Sequence, residues 1–186
     1  MKTTLETIVK EARELFRDRG YAGMSMQDLA GRVGLKKASL YTRFPNKESL
    51  VREVLALTLA ETFDGLDAGT ERTWRVTYET VIHRTADLLS DRKRCVGMHL
   101  AYGVSSETPE AAAAVRSYFE ALRDGIANIL RHALDDDRAD EVATDALLKL
   151  EGATLWLATT GDDRPMQRVV ASVLAESAAF ETRTKR

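Results

Sequence analysis

The sequence predicts an all-α protein, a small N-terminal head of three helices joined by a linking helix to a larger helical body. Three observations carry this. Apolar residues recur at i, i+3, i+4 and i+7, the spacing of one helix face. No stretch alternates apolar and polar residues long enough to make a strand. The punctuation is helical too, with Ser, Thr, Asp or Asn ahead of apolar runs and Gly behind them, in a chain with only 3 prolines.

The elements follow in order. Leu5, Ile8, Val9, Ala12, Leu15 and Phe16 form one apolar stripe that closes at Gly20, a natural residue for leaving a helix. Ser25 then reads as an N-cap, with Asp28 at the third position of a variant capping box and Met24 placed to staple onto Leu29; Gly34 stops this short helix. A third helix runs from Lys36 to Arg43, until Pro45 biases Phe44 away from helical angles. Asn46 caps a fourth, with Glu48 in its first turn and Leu50, Val51, Val54, Leu55 and Leu59 as apolar positions. Beyond Gly65 and Gly69, helices are expected at about 71–90, 94–103, 109–135, 139–160 and 165–181. Thr108-Pro109-Glu110 supplies cap, first-turn proline and acid in the favoured order, and Asp163-Arg164-Pro165 resembles another start. The four alanines at 111–114 open an amphipathic pattern that continues through Val115, Phe119, Leu122 and Ile126, and there is no internal repeat.

Composition narrows the class. With 186 residues, 44% apolar and 30% charged, the chain has a core of its own and needs no metal or disulfide staple, which excludes a disordered protein. No apolar run approaches the ~20 residues of a membrane-spanning helix. The start MKTTLETIVKEA carries acids and no apolar h-region, so a cytoplasmic protein is expected. The single cysteine, Cys95, cannot form an intramolecular disulfide, which fits a reducing compartment. The net charge is −2, yet the first 50 residues hold ten Lys and Arg against six Asp and Glu (+4), and the remainder holds seventeen against twenty-three (−6). That asymmetry suits a polyanion-binding head on an acidic body, although a charge run alone is more often a solvated face.

Two short helices separated by a tight glycine-containing turn, Ser25–Val33 and Lys36–Arg43, have the spacing of a helix-turn-helix, which by itself is more often an ordinary helical corner than a DNA reader. Residue chemistry tips the balance. Lys36 and Lys37 oppose the positive end of the helix dipole, a penalty that phosphates or base edges of DNA would reverse. They also stand where recognition helices contact bases. Lys47 opposes the dipole of the following helix in the same way, which favours a phosphate over a solvated helix start. Tyr41 can combine packing with a phosphate hydrogen bond, whereas Phe44 reads as core.

The stretch 5–55 resembles the N-terminal domain of the TetR family of transcriptional repressors. The resemblance rests on Ile8-Val9, Ala12, Leu15-Phe16, Gly20-Tyr21, Ser25-Met26-Gln27-Asp28-Leu29-Ala30, Val33-Gly34-Leu35 and above all Leu40-Tyr41-Thr42-Arg43-Phe44-Pro45-Asn46-Lys47-Glu48-Ser49-Leu50. It implies that Ser25, Gln27, Tyr41 and Lys47 meet the DNA backbone while Lys36, Lys37, Ala38, Ser39 and Thr42 present the recognition surface. It also implies a DNA-binding domain over 1–48, a linking helix over about 46–63, and a helical effector-binding and dimerisation domain over 49–186. At Lys36 the chain departs from the family pattern, where a small hydroxyl residue commonly caps the recognition helix; this bears on the operator sequence and not on the function.

In the body the family resemblance is one of architecture. Leu147, Leu148, Leu150, Leu155, Trp156 and Leu157 cover more than one face of a helix, and Val169, Val170, Val173, Leu174 and Ala178 make a stripe on the next. A helix apolar on two faces needs two partners, so an isologous homodimer through the last two helices is expected, reading a pseudo-palindromic operator. Trp74, Tyr78, His83, Met98, His99, Tyr102, Tyr118, Phe119 and Trp156 combine apolar bodies with polar or polarisable groups and are the candidate lining of an effector pocket, although each alone is more often core. Their mixture favours a small, mostly apolar or aromatic effector. The resulting reading is a ligand-responsive regulator, a repressor where its operator overlaps a promoter.

Two alternatives keep the DNA-binding head. In one, Cys95, following Asp91-Arg92-Lys93-Arg94, senses oxidants or electrophiles as a thiolate; in the other, the body is a protein-interaction module without an effector. Cys95 and His99 share a helix face, but two ligands are too few for zinc, so no metal and no cofactor is expected. Only His83, His99 and His132 are present, with no His-Glu-x-x-His, nucleophile elbow or phosphate-cradling glycine loop, so no catalytic residue is expected.

Overall fold

The computed structural model describes residues 3–66 and 73–180. Among these residues run nine helices and no strand: α1 (Leu5–Gly23), α2 (Met26–Arg32), α3 (Lys37–Tyr41), α4 (Lys47–Phe63), α5 (Trp74–Arg92), α6 (Val96–Ala101), α7 (Pro109–Leu130), α8 (Asp136–Thr160) and α9 (Arg164–Ala178). The chain divides into two compact units, Met1–Ala60 with Val96–Phe119, and Glu61–Cys95 with Glu120–Arg186. No helix is long and apolar enough to cross a membrane among the described residues.

In the first unit, α1 starts on Thr4, whose hydroxyl accepts the Thr7 N–H at 3.1 Å. Its predicted stripe is buried at Ile8, Val9, Ala12, Leu15 and Phe16, while Leu5 is half exposed. Gly20 breaks the helix with φ 65° and ψ −175°, and one further turn carries Tyr21 into the core before Met24. α2 is capped as expected, Ser25 Oγ accepting the Asp28 N–H at 3.1 Å, with Met24 and Leu29 both buried. α3 is shorter than predicted. Lys36 occupies its N-cap with no side-chain cap bond, and Thr42 already forms its C-cap. Asn46 Oδ1 accepts the Ser49 N–H at 2.7 Å and so caps α4.

In the second unit, α5 buries Trp74, Tyr78, Val81, Ile82, Thr85, Ala86 and Leu89, one face at helical spacing, and packs on α8 and α9, which also pack on each other. Its predicted start near 71 falls outside the described residues; Thr73 caps it, accepting the Val76 N–H at 3.4 Å. Arg75 stitches α5 to the end of α9, donating to the Ser177 and Phe180 carbonyls at 2.7 Å each, with its guanidinium 4.7 Å from the Trp74 ring. α7 stops at Leu130 instead of about 135, and α8 starts at Asp136 instead of about 139. The reason is the acidic run: Asp135 caps α8 by accepting the Arg138 N–H at 2.9 Å, and Asp136 and Asp137 fill its first turn, where negative charge is favoured. At α9 the expected Asp163 side chain makes no cap bond; Asp162 Oδ1 instead accepts the Arg164 N–H at 3.1 Å. The paired Arg164 guanidinium holds the Asp162 carboxyl down at about 2. The predicted tail of this helix beyond 180 lies outside the described residues.

Candidate nucleic-acid interface

The second helix of the helix-turn-helix is almost wholly presented to solvent. Of α3 only Leu40 is buried, and Lys36, Lys37, Ala38, Ser39, Tyr41 and Thr42 are all exposed. A helix that contributes one anchor to its core has its remaining faces free for another surface. Lys37 Nζ lies 5.8 Å from the centroid of the Tyr41 ring, and that ring is 42% exposed. The Thr42 hydroxyl donates to the Ala38 carbonyl at 3.1 Å, which leaves its oxygen as an acceptor. Phe44, by contrast, is 3% exposed and fastens the end of the motif to the core.

Charge is distributed unevenly over the head. Lys10 pairs with Glu6, Arg17 with Glu14, Arg19 with Asp28 at 3.1 Å, and Arg32 with Glu11. Among the described residues neither Lys36 nor Lys37 has an acidic partner, and Arg43, just after α3, donates only to the Thr3 carbonyl, so uncompensated positive charge flanks α3 at both ends. Ser25 and Gln27 stand exposed at the start of α2. The Ser25 hydroxyl donates to Asp28 Oδ2 at 2.8 Å, and this bond, aided by the Arg19 guanidinium, holds the Asp28 carboxyl below the usual carboxylate range. Lys47 differs from the rest. Its ammonium donates to the Tyr21 carbonyl at 2.7 Å and the Met24 carbonyl at 3.1 Å and sits 4.1 Å from the Tyr21 ring centroid; burial lowers its pKa. Two of its three N–H donors are thus engaged inside the head. Burial and the nearby Glu48 charge push the Tyr21 phenol up.

The candidate effector-binding residues are divided between the units. In the first, Tyr118 is buried, meets Phe119 edge-on with centroids 5.2 Å apart, and both rings close over Gly97; Met98 and His99 are half-buried, and Tyr102 is 84% exposed. In the second, Trp74 and Tyr78 are buried, His83 is exposed and Trp156 is 52% exposed. His83 lies in a surface groove of ≈ 560 Å³ along one face of α5, between Val76 and Asp91, and no other of these candidates lines that groove. Tyr102, His83 and Trp156 therefore belong to the surface of the single chain. The Tyr78 phenol oxygen and the Thr85 hydroxyl are buried with no hydrogen-bond partner among the described residues. Desolvation, with the Glu176 charge, raises the Tyr78 phenol.

Cys95 is buried, 5% exposed, and its thiol donates to the Glu151 carboxyl. Burial pushes that carboxyl up, against the lowering effect of the Cys95 bond. The Asp91-Arg92-Lys93-Arg94 run suggests an electropositive setting for the thiol; the structure gives it a carboxyl. No group of three or more metal-ligating side chains occurs among the described residues. Sequence reasoning missed Glu151, and it placed Glu48 in the first turn of α4 without its partner, the Ala111 N–H that its carboxylate accepts at 2.9 Å. Neither partner is within a helix turn in sequence, so no local signal marks them.

Comparison with known proteins agrees with this geometry. A family model described as "Bacterial regulatory proteins, tetR family" matches residues 8–54, and one described as "Transcriptional regulator LmrA/YxaF-like, C-terminal domain" matches residues 77–172, more than half the chain. The biofilm operon icaADBC HTH-type negative transcriptional regulator IcaR of Staphylococcus epidermidis is 40% identical over 48 residues, 26% of this chain and 26% of that protein. The HTH-type transcriptional activator FasR of Mycolicibacterium smegmatis is 27% identical over 167 residues, 84% of this chain and 72% of that protein. Among solved structures, a TetR transcriptional regulator from Legionella pneumophila superposes with a TM-score of 0.82 at 21% identity, covering 95% of this chain and 98% of that one. E. coli NemR in its reduced form gives 0.76 at 18% identity, covering 97% and 98%. These likenesses establish the fold, and the family models establish the kinship. The chain belongs to the TetR family of DNA-binding transcriptional regulators, which are not enzymes.

Proposed function

We propose that the protein is a ligand-responsive regulator that binds a pseudo-palindromic operator as a homodimer, placing two copies of α3 in successive major grooves about 34–36 Å apart. The observation that carries this is α3 itself, which buries only Leu40 and turns two lysines without an acidic partner, Tyr41 and Thr42 outward. In this reading Lys36, Lys37, Ala38, Ser39 and Thr42 meet base edges, while Ser25, Gln27, Tyr41 and Lys47 meet phosphates. Residues 1–48 serve as the DNA-binding domain and 49–186 as the effector-binding and dimerisation domain, with the helix over 46–63 between them.

Dimerisation through α8 and α9 is supported by the two-faced character of α8. Leu147, Leu150 and Leu157 are buried, while Leu148, Leu155 and Trp156 are more than half exposed. A small, mostly apolar effector is supported by the buried aromatic groups and by the unpaired Tyr78 and Thr85 oxygens of the body. Such an effector releases DNA only to the extent that it binds the DNA-incompetent conformation more tightly. Cys95 has no part in this reading, because its thiol is buried against Glu151. Repression follows when the operator overlaps a promoter, as suits the IcaR-like head; activation is the second reading, favoured by the relationship to FasR over most of the chain.

The test is selection of bound sequences from a random DNA pool, followed by a salt titration of the enriched site. A pseudo-palindrome with steep salt dependence is expected. The double variant Lys36→Ala, Lys37→Ala should bind it on the order of tenfold or more weakly with its dimer mass unchanged. Absence of an enriched site, or full affinity in the double variant, overturns the assignment.

A further inference from the structure

Glu48 stands at the second position of α4, where an acidic side chain ordinarily serves the dipole of its own helix. Its own helix is already capped by Asn46. Its Oε2 instead reaches the N–H of Ala111, 63 residues away. Ala111 is the third residue of α7, one of the first-turn amides that have no partner inside the helix. The neighbouring hydroxyl that would normally serve there is turned away: Thr108 Oγ1 donates to the Ser105 carbonyl at 3.2 Å and accepts the Ser105 N–H at 2.9 Å. The Ala111 side of this contact is fully buried, so without Glu48 a buried donor would be left unmade.

The start of α4 is fixed from the other side by Lys47, which holds the Tyr21 and Met24 carbonyls at the end of α1. Tyr21 in turn is packed so closely on Gly103, in the connection between α6 and α7, that a side chain there would come within 2.9 Å of its Cβ. The end of α1, the start of α4 and the start of α7 are thus one junction. From it hangs α3, which packs on α2 and is connected through residues 42–46; Leu40 and Phe44 are the buried side chains of this stretch, and Arg43 donates to the Thr3 carbonyl at 3.3 Å. A short helix with so few anchors takes its orientation from its ends.

We propose that Glu48 is a positioning residue for operator binding: by capping α7 it fixes the first turn of α4, and with it the recognition helix. The proposal rests on the DNA-binding reading above. It carries a sign that simple electrostatics does not. An anion in a DNA-binding head repels phosphate, so a purely Coulombic Glu48 would tighten binding when removed. A positioning Glu48 weakens it.

The experiment compares operator affinity, its salt dependence and amide hydrogen exchange in wild type, Glu48→Ala, Glu48→Gln and Glu48→Asp. Glu48→Ala should lower affinity on the order of three- to tenfold, the scale of a lost helix cap, with an unchanged salt slope and faster exchange at the Ala111 amide. Glu48→Gln keeps an acceptor oxygen at the same reach and should match wild type; Glu48→Asp keeps the charge, falls one methylene short, and should behave like Glu48→Ala. Should Glu48→Ala prove too unstable to assay, the Gln and Asp variants separate bond from charge on their own. Because linkage is reciprocal, operator DNA should slow Ala111 exchange in wild type and not in Glu48→Asp. Equal or tighter binding by Glu48→Ala, equal losses in the Gln and Asp variants, or Ala111 exchange indifferent to DNA would overturn the proposal. Failure to select any operator counts against the DNA-binding reading, and a selected operator held equally by every variant counts against this inference alone.

Discussion

Glu151 shows how much one side chain can bind stability to pH. Desolvation raises its carboxyl in the folded chain, with the Cys95 thiol bond acting against that, and its Oε2 has no partner among the described residues. A group raised on folding contributes most below its unfolded value, about 4.3 for glutamate, and that contribution is lost as pH rises through the folded value. Glu151→Gln keeps an acceptor for Cys95 and removes the buried charge. Its thermal midpoint should match wild type near pH 4 and exceed it increasingly toward pH 8; a gap independent of pH would contradict the burial argument. Asp28 has the opposite sign, since Ser25 lowers it and its contribution disappears as pH falls. Residues such as Lys36, Lys37 and Tyr41 were legible in sequence because helical period and motif alone expose them. Glu48, Glu151 and the second role of Lys47 were not, because each is defined by a partner on another helix that local spacing cannot name.

At the scale of elements, packing distance decides what the sequence pattern leaves open. Gly97 in α6 lets Tyr118 and Phe119 approach so closely that a Cβ would lie 2.8 Å and 2.9 Å from their rings. Gly97→Ala should therefore cost about 1–3 kcal/mol in denaturant unfolding, since Tyr118 is buried and has little room to retreat. Gly31, inside α2 with nothing within 4 Å of such an atom, is the internal control, and Gly31→Ala should stabilise by about 0.4–1 kcal/mol. A gain in both variants would show that helix propensity and not ring contact governs α6. The helices themselves were legible from period and caps, as α2 and α4 show. Their ends were less so: Lys36 leaves α3 without a side-chain cap, and Asp135 starts α8 early with an acidic turn that the apolar pattern does not contain.

At the scale of the whole molecule, the exposed apolar side chains of α8 argue for a second copy. Leu148 and Leu155 are seven residues apart, on one face, with Gly152 between them and Trp156 beside them. Leu148→Arg with Leu155→Arg should yield a folded monomer by sedimentation equilibrium, with operator affinity greatly reduced because each half-site is then bound alone. A variant that remains dimeric would place the interface elsewhere.

The Arg75 stitch bears on how such a molecule comes into being. Its acceptors are the carbonyls of Ser177 in the last turn of α9 and of Phe180 just beyond it, 102 and 105 residues farther along the chain. α2, by contrast, meets α1 and α3, its neighbours in sequence, although α1 must also wait for α6; closing short loops costs less entropy than closing long ones. On a ribosome the recognition motif is made first and can collapse early, while α5 must wait, one apolar face uncovered, for α8 and α9 to be synthesised. The surface that waits longest carries Trp74 and Tyr78, so the greatest exposure to misassembly falls on the nascent body, before α9 arrives.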